Sequence, residues 1–155
     1  MTFRKFNTET WSDPWFERLS RDAKLGFIYL WTNSSCNPAG FYELSSRRIE
    51  FELGYHIDTI YSEINTKVEW FPHENCVWVK NFFRHQAQSS KFAIAALNCL
   101  KENPERLQMF VEYNLDILKT MKIDLARYHI DTISISYPLE QKQSRSRAVG
   151  FQGRK

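Results

Sequence analysis

The spacing of apolar residues changes once along this chain, near residue 68, and that change limits the fold more than any other feature. Before it, five residues recur at the helical positions i, i+3, i+4, i+7 and i+11: Ile57, Ile60, Tyr61, Ile64 and Val68. After it, the segments KVEWF and CVWVKNFF alternate in steps of two and are rich in β-branched and aromatic residues. We therefore expect a helix over 58–68, which Asp58 can cap, and a β-hairpin over about 68–84, with residues 72–75 at its tip.

Three segments before that helix complete the predicted core. A helix over 20–33 follows from Ser20, a typical N-cap residue, and from an apolar stripe at helical spacing: Ala23, Phe27, Leu30 and Trp31. The aromatic segment GFYEL suits a strand over 40–44. The segment SSRRIEFELG predicts a helix over 45–53 that ends at Gly54, because glycine readily adopts the left-handed conformation that closes a helix.

Two further helices are predicted behind the hairpin. Ser89 or Ser90 precedes one apolar stripe, and Asn103 and Pro104 begin the next as N-cap and first helical residue. From Glu140 onward the composition is too poor in apolar residues to pack a core. We therefore divide the chain into three parts: a core domain at 1–88, a helical extension at 89–127, and a linker with a largely disordered basic tail at 128–155.

The composition and the distribution of charge limit the compartments and the partners that we expect for this chain. No apolar run reaches the length of a membrane helix, and the start MTFRKFNTETW lacks the apolar region of a signal peptide, so we expect a cytoplasmic protein without a membrane partner. The net charge of +3 is unevenly distributed, because residues 1–88 carry ten Lys/Arg against eleven Asp/Glu. The excess lies in the tail: Lys142, Arg145, Arg147, Arg154 and Lys155. These cations would either add sequence-independent affinity for DNA or only solubilise the tail.

The order of the predicted elements indicates an α+β fold of the winged helix-turn-helix kind. Three short helices bury their apolar stripes on one another, and the hairpin covers the open side while pairing with the strand at 40–44. In that arrangement the helix at 58–68 is the recognition helix, and the hairpin tip at 72–75 is the wing. The additional C-terminal helices then follow the hairpin.

Several segments of the chain carry a family resemblance. The stretches WSDPWFERLSRDAKLGFIYLWTN, AGFYELSSRRIEFELG and VWVKNFFRHQAQSSKF resemble the N-terminal winged-helix domain of phage replication-initiation proteins, the DnaD-like replisome organisers. The resemblance covers roughly residues 3–103. It implies a role at double-stranded DNA in replication initiation, with contacts to a helicase loader or to the replicative helicase. We expect no cofactor.

Twelve residues are the candidate DNA contacts under this interpretation. Five cations would neutralise phosphates: Arg47, Arg48, Lys67, Lys80 and Arg84. Four neutral residues of the recognition helix would read or fit the groove: Thr59, Ser62, Asn65 and Thr66. Tyr55 and His56 would touch a phosphate or stabilise the turn, and His73 lies at the wing tip. Against this, Asp58 and Glu63 would face phosphates, and the two arginines would otherwise pair with nearby glutamates.

Strand alternation assigns the hairpin side chains to two faces. If the second strand runs through residue 84, one set of residues points inward: Val77, Val79 and Phe83. The other set shares the opposite face: Trp78, Lys80, Phe82 and Arg84. Lys80 and Arg84 would then form a basic edge toward DNA, or would only cover hydrophobic surface with their stems.

The sequence contains none of the motifs that announce catalysis. It has no GxSxG, P-loop or HExxH pattern, so we expect a protein that is not an enzyme. The three cysteines are far apart, and a zinc site from His73, Cys76 and His85 remains an alternative with atypical spacing. Two other functions stay open: a winged-helix module for protein interaction or homo-oligomerisation, and a transcriptional regulator.

Overall fold

Residues 3–130 of the computed structural model form a mixed α+β structure with seven α-helices and a three-stranded antiparallel sheet. The helices are α1 (Pro14–Glu17), α2 (Arg21–Thr32), α3 (Ser46–Leu53), α4 (Asp58–Ile64), α5 (Phe82–Gln86), α6 (Ser90–Leu100) and α7 (Pro104–Thr120). The strands are β1 (Phe41–Glu43), β2 (Val68–Phe71) and β3 (Cys76–Val79). Short 3₁₀ helices occupy Thr8–Ser12, Pro72–Glu74 and Leu125–Tyr128.

The chain divides into two units at Ile123 and Asp124. The first unit contains the sheet and all seven of these helices, so α6 and α7 belong to the same unit as the hairpin. The described part of the second unit contains the 3₁₀ helix Leu125–Tyr128. The predicted disordered basic tail, with its five cations, lies outside the described residues.

The helix ends follow the sequence signals closely. Four predicted caps accept a backbone N–H in the first turn of their helix: Ser20 from α2, Ser45 from α3, Ser89 from α6 and Asn103 from α7. Gly54 ends α3 with a φ of 81°, as predicted. The prediction that Asp58 caps α4 is wrong, because Asp58 is already the first helical residue and Ile57 precedes it without a side-chain cap. The helix also ends earlier than expected, at Ile64.

The sheet is ordered β1-β3-β2, with β3 in the middle. Phe41 of β1 pairs with Trp78, and Trp70 of β2 pairs with Val77. All four residues of β3 are buried, which shows that both faces of the sheet are covered. Val77 and Val79 belong to the core shared with α2 and α4. On the other face, the Trp78 ring stacks on Phe41 at 5.2 Å.

Helix α7 covers that second face of the sheet. Tyr113 meets Trp78 edge-on at 5.3 Å, and Arg106 lies 5.7 Å above the Phe41 ring. Arg106 also binds Glu74 at the hairpin tip through Nη2 at 2.8 Å. The tip is therefore fixed to α7 by an ion pair. Nothing in the alternation of the strand residues alone would have shown that the outer face is covered.

The prediction that the second hairpin strand continues through residue 84 is wrong. The strand ends at Val79, and Asn81 has helical backbone angles (φ −89°, ψ 0°) that begin α5. Phe82 is fully buried in the core rather than on the outer face. Phe83 is also fully buried and meets Phe110 of α7 edge-on at 5.0 Å. A helical turn lets two consecutive phenylalanines enter neighbouring parts of the interior. Tertiary packing therefore overrides the β-strand pattern of the sequence.

The N-terminal segment is held by Gln86 at the end of α5. Its amide nitrogen donates to the Lys5 carbonyl at 2.6 Å, and its amide oxygen accepts from the Lys5 N–H at 3.1 Å. Trp31 of α2 donates to the same carbonyl at 2.8 Å. Gln86 is among the few buried polar side chains of the described chain, and these bonds explain its burial.

No helix in the part of the chain that the structure describes is both long enough and apolar enough to cross a bilayer.

Two glycines with positive φ give a matched test of the packing around α5. At Gly40 (φ 66°) an added Cβ would lie 2.6 Å from the Phe82 Cβ, whereas at Gly54 (φ 81°) it would meet no atom within 4 Å. Gly54→Ala should cost only the left-handed conformation, about 1–2 kcal/mol. Gly40→Ala should cost a further ~1–3 kcal/mol, because it also overpacks the core.

Urea unfolding of both variants beside the wild type measures these costs. Equal losses in the free energy of unfolding for Gly40→Ala and Gly54→Ala would contradict the packing of Phe82 against Gly40.

Candidate nucleic-acid interface

Helix α4 buries one side and exposes the other. Ile60 and Ile64 are 1% and 0% exposed and pack in the core, where α4 lies against α2. The four predicted groove residues are all exposed on the opposite side or just after the helix end: Thr59, Ser62, Asn65 and Thr66. Their side chains have no hydrogen bond or ion pair within residues 3–130. This exposed set, with its neutral donors and acceptors, is here named the α4 face.

The sequence predicts that the Glu63 carboxylate faces phosphates on the α4 face. In the structure the carboxylate is hydrogen-bonded to Ser20 instead. It accepts from the Ser20 backbone N–H at 2.7 Å and from the Ser20 hydroxyl at 2.8 Å. These bonds, the backbone one first, hold the pKa of Glu63 below its ordinary value. The charge thus stands at the N-terminus of α2, where the helix dipole favours an anion. Asp58 remains exposed at the start of α4.

The two arginines of α3 differ sharply in their surroundings. Arg47 is exposed, and no described side chain pairs with it. Arg48 donates to the hydroxyls of Ser35 and Ser34 at 3.0 and 3.1 Å. Its Nε also lies 4.0 Å from Glu52. Arg48 therefore connects α3 to the loop after α2, while Arg47 is available to an external anion.

Tyr55 and His56 both stabilise the turn between α3 and α4. The Tyr55 hydroxyl donates to the Asp22 carbonyl at 2.5 Å, and burial raises the pKa of this phenol. His56 Nε2 lies 3.1 Å from the Glu50 carboxylate. Of the two roles that the sequence left open, the turn-stabilising role is the one for which the structure supplies contacts. His56 itself is exposed, so its ring also borders solvent.

The remaining candidate cations have partners within the fold. The Lys67 ammonium lies 5.5 Å above the Trp15 ring, and Lys80 lies 3.4 Å from Glu69 across the hairpin. Arg84 forms two bonds to the Asp116 carboxylate, at 2.6 and 3.0 Å. The hydrogen bonds from Arg84 hold the pKa of Asp116 below its ordinary value.

Arg84 consequently does not share a strand face with Lys80. It sits on α5, where it also donates to the Tyr113 carbonyl at 2.7 Å and connects α5 to α7. The predicted basic edge made of Lys80 and Arg84 is thus not formed. His73 is exposed in the 3₁₀ turn at the hairpin tip, as expected of a tip residue.

One exposed residue of α3 was missed by the sequence reasoning. Phe51 is 87% exposed, one helical turn after Arg47. Ile49 and Leu53 set the inner side of this helix, and Ile49 is fully buried. Phe51 lies between them in sequence and so falls on another side, which is the signal that could have identified it. Phe51 therefore presents an apolar ring to solvent one helical turn from Arg47.

The alternative zinc ligands are not brought together. Within residues 3–130, no group of three or more His, Cys, Asp and Glu side chains could hold a metal ion. Cys76 is buried, its thiol donates to the Tyr42 carbonyl at 3.2 Å, and burial raises its pKa to about 11. Burial likewise raises the pKa of Cys36 to about 12. Both thiols are therefore protonated packing residues at neutral pH.

Comparison of the chain with protein-family models finds no matching family, and searches of curated proteins and of solved structures find no significant match. The function of the chain is therefore proposed from its own residues and from the resemblance that its sequence carries.

The bond between Glu63 and Ser20 predicts a pH-dependent contribution to stability. The pKa of Glu63 in the folded protein is lowered from 4.5, so its stabilisation is complete above that pH and is lost as the pH falls through the lower folded value. Glu63→Gln should therefore lower the melting temperature at pH 7, and the difference from wild type should shrink below pH 4.5.

Glu17→Gln is the matched control, because Glu17 is an exposed carboxylate of α1 whose side chain has no partner in the described chain. Melting curves that show the same deficit for Glu63→Gln at pH 3 and pH 7 would contradict the assigned role of the carboxylate.

Proposed function

We propose that this chain is a DNA-binding protein of the winged helix-turn-helix type that acts in phage-type replication initiation. The observation that carries the proposal is the α4 face, whose four neutral polar side chains have no partner within residues 3–130, together with Arg47 of α3, which is likewise unpaired there. Helices that enter a DNA groove need such side chains, because base edges offer donors and acceptors while phosphates attract cations. The residues that hold the α3–α4 turn keep the face in one geometry.

The order and pairing of the elements support the winged-helix assignment. Helices α2, α3 and α4 carry the core, and β2 and β3 follow α4 directly as a hairpin. Strand β1, from between α2 and α3, pairs with β3, as the winged-helix arrangement requires. The same order is what the resemblance to phage replication domains implies. In this arrangement α4 is the recognition helix and α3 crosses the phosphate backbone.

The proposed contacts fall into two groups. Asn65, Ser62 and the neighbouring threonines present amide and hydroxyl groups to base edges in the major groove, where Asn pairs well with adenine. Arg47 binds a phosphate and sets the register of the protein on the duplex. Because the Glu63 carboxylate is hydrogen-bonded to Ser20, it would repel the phosphates of bound DNA less than a free carboxylate would.

The wing takes part through its tip alone in this proposal. Because α7 covers the outer face of the sheet and Arg106 holds Glu74, the hairpin strands have no free face to place on DNA. His73 is exposed at the tip and is the wing residue that would reach a phosphate. The role is one of binding rather than catalysis, and the proposed partners beside DNA are a helicase loader or the replicative helicase.

Charge reversal at Arg47 tests the DNA-binding proposal. Fluorescence anisotropy with a labelled duplex should show binding at low salt, with an affinity that falls as salt rises. Arg47→Glu should weaken binding at every salt concentration and should reduce the slope of log affinity against log salt by about 1.

Lys91→Glu on α6 is the charge-matched control and should bind nearly as wild type does, because Lys91 is exposed on a helix that packs with α7, whereas α4 packs with α2. Absence of wild-type binding at low salt, or equal losses in the two variants, would reject the proposal.

A protein-interaction module is the second candidate, and exposed Phe51 favours it. A phenylalanine that is 87% exposed beside an arginine resembles the aromatic and Arg anchors of protein interfaces. If α3 binds a second copy or another replication protein, Phe51 is the residue that enters the partner.

Light scattering of wild type and of Phe51→Ser distinguishes this role when DNA is absent. The interaction role predicts an oligomer that Phe51→Ser converts to a folded monomer with an unchanged circular dichroism spectrum, since Phe51 contributes little to the core. A monomeric wild type at high concentration would count against self-association through α3.

A further inference from the structure

A cleft of about 460 Å³ lies between the N-terminal segment and the core, and the DNA-contact proposal makes no use of it. Its interior is aromatic, formed by four rings: Phe6, Trp15, Phe27 and Trp31. Its rim is polar and includes Asp13, Lys67, Asn81 and His85. A volume in this range, with apolar walls and a few polar groups, is typical of a site for a small or flat ligand.

The rings leave a slot rather than filling it. Phe6 packs on Trp31 at 5.9 Å, and Trp15 packs on Phe27 at 5.0 Å. Both outer rings also contact Phe16, at 6.5 and 6.3 Å, but no described ring contact joins Phe6 to Trp15. Phe6 and Trp15 are each only half-buried, so they border the opening while the inner rings form its floor. A flat ring can therefore enter against aromatic surfaces.

The rim offers both donors and acceptors. Asn81 uses its carbonyl oxygen to accept from Tyr113 at 2.8 Å, which leaves its NH₂ group as a donor. His85 and the Lys67 ammonium lie on the same rim, and the Asp13 and Glu9 carboxylates supply acceptors. The two carboxylates disfavour a phosphate inside the cleft. The chemistry thus fits a neutral heteroaromatic ring with hydrogen-bonding edges better than an anion or a purely apolar group.

The cleft adjoins the candidate DNA surface. Lys67, whose ammonium covers the Trp15 ring, follows the α4-face residue Thr66 directly in the chain. A strand that contacts the α4 face therefore passes close to the opening. We propose that the cleft binds an unstacked nucleobase of single-stranded DNA by stacking against Phe6, beside the Trp15 ring that the Lys67 ammonium already covers. This inference rests on the proposed function, which is the reason for taking DNA as the ligand. It adds the capture of single-stranded DNA to the binding of duplex DNA.

The test separates the base from the phosphates. Anisotropy at low salt compares a labelled ten-nucleotide thymidine strand with a strand of the same length made of abasic sites. One stacked base should make the thymidine strand bind roughly tenfold more tightly. Ser12→Trp places a ring at the cleft mouth and should abolish that preference, because Ser12 is exposed and lines the cleft. Thr8→Trp, in the same 3₁₀ helix but off the cleft, is the matched control and should retain it.

Each outcome decides between the two proposals. The cleft inference is overturned if the two strands bind equally, or if the thymidine preference survives Ser12→Trp. Equal binding is also the result expected if the occupant of the cleft is an aromatic side chain of a protein. Duplex binding that persists in that case leaves the proposed function standing. A thymidine preference that is lost in Ser12→Trp, together with no duplex binding, supports the cleft and rejects the duplex role. Melting temperatures of both variants verify that each is folded.

Discussion

The single helical turn Phe82–Gln86 holds the first unit of this chain together. Phe82 fills the core against Gly40, so closely that even one added carbon at Gly40 would clash. Arg84 binds Asp116 and the Tyr113 carbonyl, and thereby fixes α7 over the sheet. Gln86 bonds both backbone groups of Lys5 and fixes the N-terminal segment. Core, C-terminal helix and N-terminal segment therefore all depend on the side chains of one short helix.

This constraint also decides which surface remains for a partner. With α7 across the sheet, the outer sides of β1 and β3 are covered, and the hairpin tip is tied down through Glu74. Helix α4 packs on the opposite side of the sheet from α7, and among residues 3–130 the side chains of Arg47 and Asn65 have no partner. The aromatic cleft opens where the N-terminal segment meets the core. A polar helix face and an aromatic cleft on one support are the features on which the proposed binding of nucleic acid rests.

Much of the fold was predictable because its signals are local. The helix period, the two-residue alternation, the cap at Ser20 and the stop at Gly54 act within a few residues; the cap and the stop match the structure, and the alternation holds as far as Val79. The helix at Phe82–Gln86 was not predicted, because its first residues continue a segment with high β propensity. Tertiary packing makes this segment helical rather than extended. The partners of the charged residues were equally hidden. Arg84 and Asp116 are 32 residues apart, and Ser20 and Glu63 are 43 apart, so only the folded chain shows that these candidates are already engaged.

The central claim is that duplex DNA contacts the face of α3 and α4. Backbone amide NMR of the ¹⁵N-labelled protein, titrated with a short duplex at low salt, tests this claim most directly. We expect the amides with the largest chemical-shift changes to be those of Arg47 and of Thr59–Thr66. The amide of His73 should shift less. Shifts confined to α6 or to the outer side of α7, or no shifts at a duplex concentration that saturates a nonspecific binder, would contradict it.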